Sequence, residues 1–106
     1  MPAQSSFDKE MEKGSHLLKC LADKNRLSVF AILTHGSYTV SDIYRCLRLK
    51  QNLISHHLKI LKAEKLATSE KLGREIYYSL NKEKLKELDK ILGRILQASR
   101  GSAKFN

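Results

Sequence analysis

The sequence lacks the features that would place the chain in a membrane or outside the cell. None of its apolar stretches approaches the roughly 20 residues that a membrane-spanning helix needs. The N-terminal stretch MPAQSSFDKEMEKGS has no apolar core of the kind that signal peptides carry. With 2 cysteines, the chain has too few for a disulfide scaffold. We therefore expect a soluble, cytoplasmic protein that has no membrane partner.

Positive charge is what the sequence has in excess. It contains 20 Lys and Arg residues against 11 Asp and Glu residues, a formal net charge of +9. This excess favours a polyanionic partner, of which nucleic acid is the commonest and an acidic membrane surface the next. The apolar and charged fractions are ordinary for a globular protein, and the length suits a single domain over residues 1–106.

Capping residues and hydrophobic spacing predict four helices in the first two thirds of the chain. Residues 1–6 are small and polar and are expected to be disordered, and a first helix is predicted over 7–22. Asp23 is a good N-cap for the second helix. Thr39 begins the stretch TVSD, which has the form of a capping box and should open a short third helix. The fourth predicted helix covers roughly 51–63.

The rest of the sequence changes period and then returns to a helix. Residues 67–80 alternate between apolar and polar side chains around a turn at 72–74, which predicts a β-hairpin with a basic tip. A last helix over 82–98 carries leucines and isoleucines at spacings of three and four. The predicted fold is mainly α with a small β-hairpin, in the order α-α-α-α-β-β-α. This is a winged helix-turn-helix, with the helix-turn-helix at 40–63 and the hairpin as its wing.

Two neighbouring histidines, His56 and His57, lie in the stretch QNLISHHLKIL of the fourth predicted helix. Their spacing is not the i, i+4 spacing of a helical metal pair, and no nucleophile accompanies them. Successive helical residues are rotated by about 100°, so the two side chains diverge. His57 falls at the edge of the apolar side and is interpreted as a packing residue. His56 falls on the polar side, either within a recognition face or as a solvated surface residue.

A short capped helix, a tight turn at 48–50 and a helix with one polar face form a helix-turn-helix arrangement. The second helix of this arrangement enters the major groove of DNA. Basic residues outnumber acidic ones between 40 and 65, and the hairpin tip adds further positive charge. The sequence therefore predicts double-stranded DNA as the partner. The residues predicted to contact phosphates are Arg48, Lys50, Lys59, Lys71 and Arg74.

Three stretches resemble the ArsR/SmtB family of winged helix-turn-helix repressors. They are LADKNRLSVFAIL, VSDIYRCLRLKQNLISHHLKILKAEKL and GREIYYSL. The resemblance implies a homodimer that pairs through its first and last helices, 7–22 and 82–98, and leaves its operator when an effector binds. It also implies that Arg48 replaces the usual turn glycine and Lys50 a common cap residue. The residues it places at base edges or nearby phosphates are Gln51, Asn52, Ser55 and His56.

The chain departs from this family where many members bind a metal effector. The segment that holds cysteine ligands in arsenic or cadmium/lead sensors reads TVSDI here, without a thiol. The last helix carries Lys82, Lys84, Ile95 and Ala98 where a zinc/nickel site would need His, Asp or Glu. No metal site and no cofactor are therefore predicted.

Two further sets of residues leave alternatives open. Cys20 and Cys46 occupy apolar helical positions, which favours buried structural thiols, and the alternative is a redox or persulfide switch as in some relatives. Leu88, Leu92 and Ile95 share one stripe of the last helix and are predicted to bury against the partner subunit. The alternative is that this helix packs on its own domain.

The sequence as a whole predicts a sequence-specific DNA-binding repressor that an unidentified signal releases from its operator. The alternatives are a thiol-responsive repressor and a winged-helix module that binds an acidic protein. A protein-interaction module would be expected to expose apolar residues on the recognition helix, whereas this helix exposes polar ones. No nucleophile–base pair is visible, so an enzyme is not predicted.

Overall fold

Five α-helices and one antiparallel hairpin follow one another over residues 4–100, which the computed structural model describes; side chains are described for residues 6–97. A 3₁₀ turn, Leu33–His35, extends the second helix. The order agrees with the prediction, so the winged helix-turn-helix fold is confirmed. The elements are α1 (Gln4–Cys20), α2 (Lys24–Ile32), α3 (Val40–Leu47), α4 (Gln51–Ala63), β1 (Ala67–Leu72), β2 (Glu75–Leu80) and α5 (Lys82–Arg100).

The bounds of α1 differ from those predicted. α1 begins at Gln4, so the expected disorder does not extend to residues 4–6; residues 1–3 lie outside the described part of the chain. A helix that packed residues have already nucleated extends by a turn at little cost, because each added residue gains a hydrogen bond. α1 ends at Cys20, two residues early, because Asp23 adopts extended backbone and begins the next helix.

One hydrophobic core joins the helices to the base of the hairpin. α4 packs against α2 and α3 and contributes Ile54, Leu58 and Leu61, each 0% exposed. Each such side chain contributes about 1.5–3 kcal/mol when it leaves water. Other members of the core are Leu17, Leu21, Val29, Phe30, Leu33, Ile43, Leu66, Ala67 and Leu88. This packing fixes the rotation of α4 about its axis.

The predicted helix caps are present at α2 and α3. The Asp23 carboxylate accepts a hydrogen bond from the Arg26 amide at 2.9 Å, and this bond lowers the pKa of Asp23. The Asp42 amide donates to the Thr39 hydroxyl at 3.1 Å, and the Thr39 amide donates to the Asp42 carboxylate at 3.0 Å. This reciprocal pair is the capping box, and the Thr39 amide lowers the pKa of Asp42. These bonds hold the start of the helix-turn-helix.

The hairpin is anchored to the body of the fold near its base. Its register pairs Ala67 with Leu80 and Lys71 with Ile76, and Gly73 takes the left-handed conformation that the turn requires, with φ 65°. Tyr38, in the connection between α2 and α3, forms a bridge with Tyr78 of β2 through amide–carbonyl bonds of 2.8 and 2.9 Å. The wing is therefore attached to the segment that leads into α3.

α1 and α5 cross closely at Gly14. A Cβ atom at this position would lie 3.0 Å from two side-chain carbons of Ile91, so the glycine has a packing role within α1. Glu10 of α1 pairs with two cations of α5, with Arg94 at 3.2 Å and Lys90 at 3.6 Å. The first and last helices thus form one layer in the protomer.

His57 is buried beside α2, which confirms its interpretation as a packing residue. Its side chain is 4% exposed, with Nδ1 at 3.5 Å from Nη1 of Arg26. Nε2 lies 3.8 Å from the Asp23 carboxylate, beyond hydrogen-bond distance, and has no hydrogen-bond partner among the described residues. Burial lowers the pKa of His57, since a charged imidazole would lose water that neighbouring groups do not replace.

This lowered pKa predicts a loss of stability in mild acid. The unfolded chain, in which the histidine pKa is about 6.5, takes up a proton before the folded chain does. The free energy of unfolding should therefore be insensitive to His57 above that pH and fall below it, by up to about 1.4 kcal/mol per pH unit. Urea unfolding of His57→Gln between pH 7 and pH 5 should show a flatter dependence than the parent chain. His56→Gln, at an exposed position, is the control and should keep the parent slope; equal slopes for all three chains would contradict the assignment.

Candidate nucleic-acid interface

The turn of the helix-turn-helix is made from residues that a turn does not favour. Arg48 ends α3 in the left-handed conformation, with φ 58° and ψ 25°, and its amide donates to the Tyr44 carbonyl at 2.8 Å. A side chain in this conformation costs about 1–2 kcal/mol relative to the right-handed one. The Arg48 guanidinium lies 5.9 Å from the centre of the Tyr44 ring, within the range of a cation–π contact. The turn therefore carries charge at the expense of local stability.

The start of α4 has no side-chain cap. Lys50 is the N-cap residue and makes no capping hydrogen bond, while its carbonyl accepts from the amides of Leu53 and Ile54, both at 3.0 Å. The amides of Gln51 and Asn52 precede the first helical hydrogen bonds and so have no acceptor within the helix. Unpaired amides at a helix N-terminus bind anions such as phosphate.

α4 presents one polar face to solvent. Within the described chain, the side chains of this face make no hydrogen bond or ion pair to the protein. The ring of His56 contacts that of His57, and the two ring centroids lie 5.6 Å apart. The opposite face is the buried edge of Ile54, Leu58 and Leu61. The structure therefore brings the predicted recognition residues together. The exposed residues of this face are Gln51, Asn52, Ser55, His56 and Lys59.

The predicted basic residues of the wing extend this surface. Lys62 of α4 donates to the Ser69 hydroxyl at 2.6 Å, which ties α4 to β1. Side chains alternate along a strand, so Lys71 lies on the same face of the hairpin as Ser69. Arg74 follows Gly73 in the turn, and both Lys71 and Arg74 are exposed. The wing thus carries its charge on the α4 side and at its tip.

Two features of this surface do not follow from the hydrophobic pattern of the sequence. Ile76 belongs to the alternating apolar series of β2, but it is 46% exposed because the strands extend beyond the body of the fold. Tyr44 is not among the predicted site residues, although it precedes Arg48 by four residues, about one helical turn. That spacing is the signal in the sequence that could have identified it.

The prediction of two buried thiols is wrong for Cys46. Cys20 is 8% exposed, and burial raises the pKa of its thiol, which disfavours the reactive thiolate. Cys46 is exposed. Ile43 and Leu47 form the inner face of α3, and Cys46 is rotated by about 60° from Ile43 on the side away from Leu47. The residue type of Cys46 suggested a place in the core, but its position on α3 lies outside the buried face of the helix.

The three residues predicted for dimerisation have different environments. Leu88 is 6% exposed and belongs to the core of its own protomer, Leu92 packs partly against that core, and Ile95 is 64% exposed. At Leu88 the helix therefore packs on its own domain, which was the alternative to a partner contact. Leu18 of α1, 43% exposed, lines a shallow apolar groove of about 530 Å³ between α1 and α5 together with Leu92 and Ile95. The unburied part of the stripe is its C-terminal half.

The described residues hold neither a cluster of metal ligands nor a membrane span. In this part of the chain, no group of three or more His, Cys, Asp or Glu side chains is placed to hold a metal ion. Lys82, Lys84 and Ile95 lie on α5, while the side chain of Ala98 is outside the described set. No helix within the described residues is long and apolar enough to cross a bilayer.

Known proteins resemble this chain in sequence and in fold. The sequence model of the bacterial regulatory protein, arsR family, matches residues 23–69, from the cap of α2 into β1. An arsenical resistance operon repressor of Staphylococcus xylosus is 33% identical over 89 residues, which cover 84% of this chain and 86% of that protein. A transcriptional repressor SmtB homolog of Synechocystis is 29% identical over 79 residues, 74% of this chain and 59% of that protein.

The fold agrees with the sequence matches. The crystal structure of a transcriptional regulator HlyU from Vibrio vulnificus CMCP6 superposes with a TM-score of 0.72 at 28% identity, over 86% of this chain and 95% of that chain. The matched segment of the sequence contains α2, α3 and α4, so the similarity includes the whole helix-turn-helix. The chain belongs to the ArsR/SmtB family of transcriptional regulators, whose members are not enzymes.

Proposed function

We propose that the chain is a sequence-specific repressor that binds double-stranded DNA as a homodimer in the cytoplasm. The observation that carries this proposal is that α4 has one fully buried edge and one exposed polar face. Among the described residues, the side chains of this face have no hydrogen-bond or ion-pair partner in the protein. The names of several related proteins, a repressor of an arsenical resistance operon among them, support repression, whereas one relative is named an activator.

The exposed residues of α4 are suited to reading base edges. An Asn or Gln side chain pairs with the N6 and N7 positions of adenine, and Ser donates to or accepts from any base edge. Gln51 and Asn52 begin the helix, and it is the N-terminal part of a recognition helix that reaches the floor of the major groove. Ser55 and His56 follow one turn later on the same face.

Phosphate contacts are assigned to the cations around this face. Arg48 and Lys50 lie in the turn just before α4, and Lys59 lies two turns further along it. Lys71 and Arg74 of the wing would reach the backbone or the adjacent minor groove. The amides at the start of α4, which have no acceptor within the helix, are uncharged donors that would bind a backbone phosphate of the DNA.

The homodimer is proposed from the apolar surface that the protomer leaves open. Leu18, Ile95 and the partly buried Leu92 meet at the groove between α1 and α5. A second copy placed by two-fold symmetry would bury the same residues on both subunits. It would also present two α4 helices to successive major grooves, which is how helix-turn-helix dimers read palindromic sites.

The two alternatives are less well supported. A switch based on both thiols is opposed by Cys20, whose burial raises its pKa, although Cys46 is exposed and open to reagents. A module that binds an acidic protein would expose apolar residues on α4, whereas Ile54, Leu58 and Leu61 are all buried. We therefore propose a signal that is neither a thiol reagent nor a metal of the familiar sites.

The salt dependence of binding tests the phosphate contacts. In gel-shift titrations with the chain's own promoter, the slope of log K against log salt should be about −5 or steeper for a dimer. Lys71→Gln with Arg74→Gln should reduce the slope by about 1 for each phosphate that the variant no longer neutralises. Lys9→Gln with Lys13→Gln removes equal charge from exposed positions of α1 and should leave the slope unchanged. A slope near zero for the parent chain would contradict DNA binding.

Replacing His56 should lower operator affinity, whereas replacing His57 should lower the stability of the fold. His56→Ala should weaken operator binding by about 1–3 kcal/mol, the usual energy of one base-edge interaction, and leave the melting temperature unchanged. His57→Ala should lower the free energy of unfolding by about 1–3 kcal/mol through poorer packing, with operator affinity retained by the folded protein. Both quantities should be measured for both variants. The reverse pattern would mean that α4 is rotated from the face assigned here.

Ile95 offers a sharper test of the dimer than the more buried Leu92. Ile95→Asp changes a side chain that is 64% exposed in the protomer, so the fold should persist. In a dimer the carboxylate would be buried without a partner, which costs several kcal/mol and should shift sedimentation from dimer to monomer. Gln97→Asp, at an exposed position of the same helix, is the control. A variant that remains a dimer at Ile95→Asp would show that this face is not the interface.

A further inference from the structure

A second groove lies on the adjacent face of α5, shares Leu92 with the groove between α1 and α5, and is not used by the proposed DNA surface. It has a volume of about 970 Å³ and runs between α5, the end of β2 and the connection from the 3₁₀ turn to α3. This size is within the roughly 300–1,000 Å³ of small-molecule sites. We call it the leucine groove because its apolar lining is Leu33, Leu80, Leu85, Leu88, Leu92 and Leu96.

The leucine groove also has polar lining residues, which include Thr34 and His35 of the 3₁₀ turn. Lys82 and Lys86 line it where α5 begins, four residues apart and hence on one side of the helix. Ser37 and Ser79 line the wall nearby, and their hydroxyls are 2.5 Å apart. The first turn of α5 adds the positive end of the helix dipole. Two ammonium groups and two hydroxyls are the donors that a carboxylate needs.

The other charges around the groove limit the ligand to one acidic group. Glu83 lies 3.9 Å from the Lys86 ammonium in an exposed ion pair and competes only weakly with a bound carboxylate for this lysine. Asp89, the acidic residue of the lining, lies one turn beyond Lys86 and would repel a second anion. Beyond Asp89 the α5 wall consists of Leu92 and Leu96. From Lys82 to Leu96 the helix rises roughly 20 Å at 1.5 Å per residue, so the apolar part of the groove is elongated.

We propose that the leucine groove binds an elongated apolar molecule with a single carboxylate, of the class of medium-chain fatty acids. Its carboxylate lies against Lys82, Lys86 and the hydroxyls of Ser37 and Ser79. Its chain extends over the leucines of α5 towards Leu96. The two lysines near the start of α5 and the leucines further along the helix carry this choice of ligand.

The position of the groove gives such a ligand access to the DNA-binding elements. Ser37 precedes Tyr38, which is bridged to Tyr78 of the wing, and Thr39, which caps α3. A carboxylate bonded to Ser37 and Ser79 competes with the bond between them, and so acts on the connection that positions both wing and α3. This role as an effector rests on the proposed function as a DNA-binding repressor, whereas binding in the groove does not.

Calorimetric titration of the full chain with decanoate, below its micelle concentration, tests the groove without DNA. Decanoate should bind at least about tenfold more tightly than decanol, a difference of about 1.4 kcal/mol. Butyrate, which has the head without the chain, should not bind measurably. Lys82→Gln with Lys86→Gln should abolish the preference for decanoate over decanol. Lys9→Gln with Lys13→Gln, an exposed pair four residues apart on α1, should preserve it.

Three outcomes would overturn the proposal. If decanoate produces no binding heat, the ligand class is excluded. If the parent chain binds decanoate and decanol with equal affinity, the binding is apolar partitioning without recognition of the carboxylate. Decanoate that binds the Ile95→Asp monomer but not the parent dimer shows that a second copy of the chain occupies the groove. The effector role is measured separately, as release of promoter DNA by decanoate. A chain that binds decanoate but no DNA would refute the proposed function and leave the groove assignment standing.

Discussion

The burial of one edge of α4 is the constraint on which the proposed DNA-binding surface depends. Ile54, Leu58 and Leu61 are each 0% exposed, and rotating the helix would bring at least one of them into water at a cost of about 1.5–3 kcal/mol. The outward face is therefore defined by what the inward face buries. His56 and His57 show the result: they are neighbours in sequence, yet His56 is exposed and His57 lies in the core.

Local signals in the sequence predicted the parts of this surface that depend on local physics. The capping box at Thr39 and Asp42 needs only residues three apart, and it forms as predicted. The polar face of α4 follows from helical period alone. The exposure of Cys46 did not follow, because an isolated apolar residue beside a hydrophobic stripe does not reveal where the stripe ends. The burial of Leu88 within its own protomer did not follow either, because the pattern shows that a face is apolar, not which surface covers it.

The turn before α4 shows charge placed against local preference. A glycine would adopt the backbone of Arg48 without strain, and a Ser or Thr in place of Lys50 would cap α4. Both positions instead carry a cation beside the exposed polar face of α4. Departures from local rules concentrate at functional sites, where the rest of the fold compensates for them. The cap on α3 and the buried edge of α4 supply that compensation on either side of the turn.

α4 is also held from the side of α1. Arg26 donates through Nε to the Cys20 carbonyl at the end of α1, while its Nη1 faces Nδ1 of His57 in α4. A second link joins His16 of α1 to Glu64, the C-cap residue of α4, at 2.5 Å. α4 is thus connected to α1 at its middle and at its C-terminal end. Since α1 is packed on α5 through Gly14 and Glu10, a displacement of the α1–α5 layer must either carry α4 with it or break these polar contacts. This continuity gives a physical route from the layer proposed for dimerisation to the helix proposed to read DNA.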